Sequence, residues 1–367
     1  MADKTFNVGV VGYGLSAKVF HIPFITTTRG LRLHAIVQRA PKDDNSAPAD
    51  HPSVKHYRDT DALLADSDVD VIVVTTPPDN HFALTKAALE AGKHVLTEKP
   101  FVPTAAEADA LIAASRSAGK LICVYQNRRW DADFLTARHL IREGTLGRIV
   151  EFNTHFDRYR AAAPTTWKGS LTVAQGGSAL FDLGTHLIDQ AYVLFGMPRA
   201  VHGRLLSQRE GRAEFDNPDA VNAELTYPDG LIVNVRISAL SAETLQRRFW
   251  VRGSKGSFRK DALDPQEDQL RAGVAPTDAG FGREDEARKA EIMKLTVVGD
   301  DGSTIREEKV PDLEPETYRA FYAAFAGAVA SGREEDVPVK PTEARDVLRI
   351  IEGVIESAKT GRDVVFS

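Results

Sequence analysis

Within the first 125 residues, short runs of β-branched and apolar residues alternate with longer stretches of helical periodicity. The runs are Asn7–Gly12, Leu33–Val37, Val69–Thr75, His94–Thr97 and Leu121–Tyr125; Asn80–Ala91 and Thr104–Ser117 are the clearest helical stretches. Val69–Thr75 is apolar along both faces, as a strand covered on each side must be. This order predicts a parallel, doubly wound sheet with right-handed crossovers, a Rossmann-type α/β domain over residues 1–125.

After Gly147 the rhythm changes. Ile149–Tyr159 reads as a long strand and Ser178–Phe195 as a helix. Strand candidates then follow one another at Ala200–Ser207, Ala220–Tyr227, Leu231–Ser238 and Arg247–Val251, with Pro228-Asp229-Gly230 as a hairpin turn. Residues 126–367 are therefore expected to form an α+β domain with a large, mostly antiparallel, open-faced sheet. Ala262 to Lys289 reads as a long loop. Helices near Glu316–Ser331 and Thr342–Thr360 close the chain, free to pack back onto the first domain.

Forty-six basic against fifty-two acidic residues leave a net charge of −6, with no broad field to attract nucleic acid or an anionic membrane. One cysteine, Cys123, excludes an internal disulfide and a zinc site built from several thiolates. The first residues contain no apolar signal segment, and no apolar stretch approaches the roughly 18 residues that span a bilayer. A cytoplasmic location is the expectation.

The first strand runs into Gly12-Tyr13-Gly14-Leu15-Ser16-Ala17. Gly12 permits a tight turn, Gly14 lets the backbone approach a pyrophosphate, and Ala17 allows close helix–sheet packing. Leu15 and Ser16 open a helix whose unpaired N–H groups suit phosphate oxygens. At the end of the second strand an NAD site usually carries a carboxylate for the adenosine ribose. Here Val37-Gln38-Arg39 stands instead, and Arg39 suits a 2′-phosphate. NADP is the expected cofactor, with NAD less favoured. Thr75, Thr76, Pro77 and His81 follow the third strand, at the carboxyl end of the sheet where ligands bind. Asn80 there is the expected helix cap.

The fourth strand ends Glu98-Lys99-Pro100, and Asp182-Leu183-Gly184-Thr185-His186 lies further on. With the glycine turn, these elements make the chain resemble the Gfo/Idh/MocA oxidoreductase family over nearly its whole length. Within that family it is most similar to bacterial NADP-dependent scyllo-inositol dehydrogenases. Gly12–His21, Val124–Thr136, Phe181–Gln190, Leu194–Pro198 and Gln266–Gly273 carry that similarity. The resemblance implies a catalytic set of Lys99, Asp182 and His186, with Glu98 and Asn127 near the nicotinamide half of the cofactor. It also implies a homodimer or homotetramer joined through the open sheet.

The residues themselves support compatible chemistry. Asp182 and His186 are four apart on a predicted helix and share a face. A carboxylate beside an imidazole fixes its tautomer and favours its protonated form, which suits a base that accepts a hydroxyl proton. Gly184 between them is consistent with close approach of a ligand. Lys99, at the mouth of the sheet, is placed to bond a substrate oxygen and stabilise developing charge. Its X-Pro bond is a candidate for cis. Arg128, Arg129 and Trp130 suit either a site or a structural cluster. Asp157, Tyr159 and Trp167 are candidates for polyol hydroxyls. No metal is expected, because Asp182 and His186 have no third ligand at suitable spacing.

The expected activity is NADP-dependent hydride transfer between a secondary alcohol of a cyclic polyol or sugar, foremost scyllo-inositol, and the nicotinamide. An aldose or a small carbonyl compound is the alternative substrate. A non-catalytic dinucleotide-binding regulator is the alternative class, and the joint presence of Lys99, Asp182 and His186 argues against it.

Overall fold

The computed structural model describes residues 4–209 and 216–366. The chain forms two compact units, neither contiguous in sequence. Unit one takes residues 1–127, 266–281 and 317–345, and unit two takes 128–265, 282–316 and 346–367. A contiguous split at residue 125 leaves out the two later pieces of unit one.

Unit one is built on a parallel sheet of β1 (Phe6–Val11), β2 (Leu31–Val37), β3 (Lys55–Tyr57), β4 (Val71–Val74), β5 (His94–Thr97) and β6 (Ile122–Val124). Its order is β3-β2-β1-β4-β5-β6, which reverses between β1 and β4, the switch point at which doubly wound sheets bind ligands. All four residues of β4 are buried, as their composition requires. The helix Ala105–Ala118 begins with a reciprocal Thr104–Glu107 capping box and ends on Gly119 in the left-handed region. Asn80 makes no side-chain cap; a 3-10 turn, Pro78–Asn80, starts the helix His81–Glu90 instead. Cys123 is fully buried, as expected of a small apolar side chain.

Unit two holds a nine-stranded sheet of β7 (Ile149–His155), β8 (Ala200–Leu206), β9 (Ala220–Thr226), β10 (Ile232–Ser238), β11 (Arg247–Gly253), β12 (Gly256–Asp261), β13 (Met293–Val298), β14 (Ile305–Glu308) and β15 (Val364–Val365). The order is β14-β13-β12-β11-β7-β10-β9-β8-β15, antiparallel except that β7 and β10 run parallel. Buried and accessible residues alternate along β9 and β10, so one face forms a core. The helical segment 180–195 lies against β9 and β10. The opposite face carries Glu151, Asn153, Asn234, Trp250 and Arg252, linked by side-chain hydrogen bonds such as Arg252 Nη1 to Glu151 Oε2 at 2.6 Å.

The expected loop from 262 to 289 is in part helical, with helices Gln266–Arg271 and Glu286–Ile292. The first is fixed by tertiary contacts: Gln266 is buried and accepts a hydrogen bond from the Tyr318 amide at 2.9 Å. The second has a local signal, since Asp285 caps it by accepting from the Arg288 amide at 2.8 Å.

Candidate functional site

The glycine turn has the backbone that its sequence anticipates. Gly12 adopts φ +102, in the region that glycine favours, and a Cβ there would meet Thr75 Oγ1 at 2.8 Å. Thr75 braces this turn, donating its hydroxyl to Val11 O at 2.9 Å. A Cβ on Gly14 would meet nothing within 4 Å, so this residue lies open to an incoming group. The Lys18 amide donates to Gly14 O at 3.1 Å, starting a helix that contains a π-helical turn, Ala17–His21. Leu15 is exposed on it and Ala17 is buried.

At the end of β2, Gln38 folds the following loop by accepting from the Ala47 amide and donating to Asn45 O, each at 2.7 Å. Arg39 is exposed beside it. Asp50 is occupied by the Tyr13 hydroxyl at 2.7 Å and by Lys18 at 3.5 Å. After β4, Thr76 has a buried hydroxyl with no partner, and Thr97 at the end of β5 has another. An open cradle at Gly14, a helix start and an orphaned threonine hydroxyl at the carboxyl ends of the strands together fit a dinucleotide.

His81 lies between the turns that follow β4 and β5. It is fully buried, with Nδ1 2.8 Å from Pro100 O and Nε2 2.9 Å from Thr76 O. Both partners are backbone carbonyl oxygens, one in each of the two turns. His81 therefore staples the turn after β4 to the turn after β5, with Pro77 in the former.

The Lys99–Pro100 bond is cis. Beneath it, Glu98 is 9% exposed and accepts from three donors: His21 Nε2 at 2.9 Å, the Lys99 amide at 3.0 Å and the Ser16 hydroxyl. Burial pushes its pKa up, but the His21 hydrogen bond and charge, Lys99 and Ser16 outweigh this and lower it to about 2. The other ring nitrogen of His21 lies 2.6 Å from the Tyr322 hydroxyl, which comes from the helix Tyr318–Ser331. Sequence reasoning gave neither His21 nor Tyr322 a role. Asn127 is buried in the turn that follows β6.

In unit two, Asp182 lies in a second π-helical turn, Leu180–Gly184, which runs directly into the helix Thr185–Phe195 bearing His186. His186 is buried. Both Asp182 oxygens accept from Lys168, at 2.9 and 2.8 Å, a partner without a sequence signal. Gly184 does not open space for a ligand: a Cβ there would meet Leu180 at 3.0 Å and Ile237 of β10 at 3.4 Å, so its smallness serves packing.

The helix bearing His186 is tied into a buried polar network. Arg129 holds Asp189 with two bonds, 2.8 and 2.7 Å, and Gln190 donates to Arg128 O at 2.7 Å. Arg248 is fully buried and donates to Gln190 Oε1 at 2.5 Å and Thr154 Oγ1 at 3.1 Å, with Asp133 at 3.5 Å. Arg128 and Arg129 thus belong to this structural cluster. Among the three polyol candidates, Asp157 contacts His155 Nδ1 at 3.2 Å, Tyr159 is 62% exposed and Trp167 38% exposed.

The parallel sheet with its reversed strand order, the glycine cradle and the Glu98-Lys99 turn define a dinucleotide-binding oxidoreductase. Two family models match the chain: "Oxidoreductase family, NAD-binding Rossmann fold" over residues 6–126, and "Oxidoreductase family, C-terminal alpha/beta domain" over residues 138–366. The chain belongs to the Gfo/Idh/MocA oxidoreductase family. It is 38% identical over 361 residues to the oxidoreductase YdgJ of Escherichia coli, covering 98% of each chain. It is 34% identical over 362 residues to the scyllo-inositol 2-dehydrogenase (NADP(+)) IolW of Bacillus subtilis, covering 98% of this chain and 96% of that one. Among solved structures, a putative oxidoreductase of Yersinia pestis matches with TM-score 0.88 and 37% identity, over 100% of this chain and 98% of that one. Among the described residues, no helix is long and apolar enough to cross a membrane.

Proposed function

We propose that the protein is an NADP-dependent dehydrogenase of a cyclic polyol or sugar, with scyllo-inositol and its ketone as the leading pair. The observation that carries the cofactor choice is Arg39, exposed at the end of β2, while the Asp50 carboxylate that follows in sequence is engaged by Tyr13 and Lys18. A guanidinium there pairs with a 2′-phosphate. The name of the Bacillus subtilis relative supports the substrate class.

Bound nicotinamide supplies the hydride acceptor. Gly14 and the helix start receive the pyrophosphate, and Thr76 offers its hydroxyl to the cofactor. Asn127 and Glu98 serve the nicotinamide half. Lys99 bonds the substrate oxygen and stabilises the charge that develops on it. His186 takes the hydroxyl proton as the alcohol becomes a carbonyl, and Asp182 orients His186 and binds substrate. Asp157, Tyr159 and Trp167 supply polar and apolar contacts to the polyol.

The exposed face of the nine-stranded sheet, with Trp250 among hydrogen-bonded polar side chains, is the surface through which two copies associate. A monomer at micromolar concentration in analytical ultracentrifugation would remove that part of the reading. The decisive functional test follows dinucleotide reduction spectrophotometrically over inositol isomers and aldoses with NADP and NAD. Turnover of inositols with NADP is expected. Efficient turnover of aldoses alone, or preference for NAD, would replace the corresponding half of the reading.

A further inference from the structure

In unit one the Tyr322–His21–Glu98 chain is built so that the imidazole is satisfied in either protonation state. Nε2 donates to Glu98 at 2.9 Å in both states. When Nδ1 is bare, the Tyr322 hydroxyl can donate to it across 2.6 Å; when Nδ1 carries a proton, the same hydroxyl can accept. The ring is fully buried, packed 4.5 Å from the Tyr125 ring, so neither state is rescued by water. The charged and titratable groups around it are Glu98 after β5, Tyr322 on the helix Tyr318–Ser331 and Tyr125 after β6. Lys99 adjoins Glu98, and Ser16 joins Glu98 to the helix that starts at the glycine turn.

We infer that His21 is a positioning residue that sets the relative affinity for oxidised and reduced dinucleotide, through the net charge of the His21–Glu98 pair. This rests on the dinucleotide reading given above. Glu98 lies at the carboxyl end of β5, beyond the β1–β4 switch point, on the side of a doubly wound sheet that takes the second half of a dinucleotide. The two redox forms differ by one positive charge on the nicotinamide ring. A protonated His21 cancels the Glu98 carboxylate and leaves the neutral reduced ring at no disadvantage. A neutral His21 leaves a net negative charge, which favours the oxidised ring. Binding of the oxidised form therefore releases protons and binding of the reduced form takes them up, by linkage.

The test is isothermal titration calorimetry of the full chain with NADP and with NADPH across roughly pH 5 to 8. In the wild type the ratio Kd(oxidised)/Kd(reduced) should rise as pH falls. In His21→Gln, which keeps a donor toward Glu98 without a titrating charge, the ratio should drop by about fivefold at low pH and lose its pH dependence. Tyr322→Phe keeps the ring and should move the ratio the same way by a smaller factor. Should His21→Gln fail to fold, Tyr322→Phe decides alone. Binding of both forms with an unmoved ratio would overturn the inference and leave the dinucleotide reading standing. Wild-type protein that binds neither form would overturn both.

Discussion

The Arg129–Asp189 pair offers a stability test worked directly from the structure. Its side chains are 8% and 2% exposed, and two bonds of 2.8 and 2.7 Å join them. Asp189→Asn keeps the shape but removes the charge that faces the buried Arg129 guanidinium. Breaking a buried pair in this way costs about 3–5 kcal/mol, a large share of a typical folding free energy. Asp189 lies on the helix that bears His186, so turnover should fall with stability. Urea denaturation of the wild type, Asp189→Asn, Arg129→Met and the double variant forms a cycle. The double variant should lose less than the sum of the singles by roughly 2–3 kcal/mol, because no charge is left stranded. A loss below about 1 kcal/mol in Asp189→Asn would refute the reasoning, for it would mean that the guanidinium finds water or another acceptor.

Three further outcomes are expected. Gly14→Ala should leave the melting temperature unchanged, since its Cβ meets nothing within 4 Å, while weakening dinucleotide binding; Gly12→Ala should lower the melting temperature, because of its φ of +102 and the 2.8 Å approach to Thr75. Arg39→Asp should shift the ratio of kcat/KM values from NADP toward NAD by about tenfold or more in steady-state assays. The folded pKa of Glu98, about 2, lies below its ordinary 4.5, so its contribution is present above pH 4.5 and lost as pH falls toward 2. Denaturation midpoints of Glu98→Gln should accordingly show a shallower decline than the wild type across that window.

Much of the fold was legible because its signals are local. The all-apolar β4 and the capped helix after Thr104 announce a buried parallel sheet, and the turn at Gly12 announces its ligand end. Strand β13 alternates buried and accessible residues and could have been read from its period of two. Helix Gln266–Arg271 could not, since the buried Gln266 is held by a residue 52 positions away. The site divides along the same line. Gly12, Gly14 and the Glu98-Lys99 turn carry local constraints, whereas Tyr322 and Lys168 acquire meaning only from His21 and Asp182. Both π-helical turns, at 17–21 and 180–184, carry candidate functional residues, as single π-helical turns within helices often do.

Unit one ends, in sequence, only at Arg345. Its Rossmann sheet is complete by Val124, yet Tyr322, the partner of His21, arrives 301 residues after that histidine. During synthesis the nascent dinucleotide half must therefore persist with His21 and Phe24 uncovered until almost the whole chain has left the ribosome. A product truncated before residue 317 would carry every glycine of the cofactor turn and still lack the helix that buries them both. For this chain, a product cut short before residue 317 lacks the hydroxyl that bonds His21, however far upstream the cofactor motifs lie.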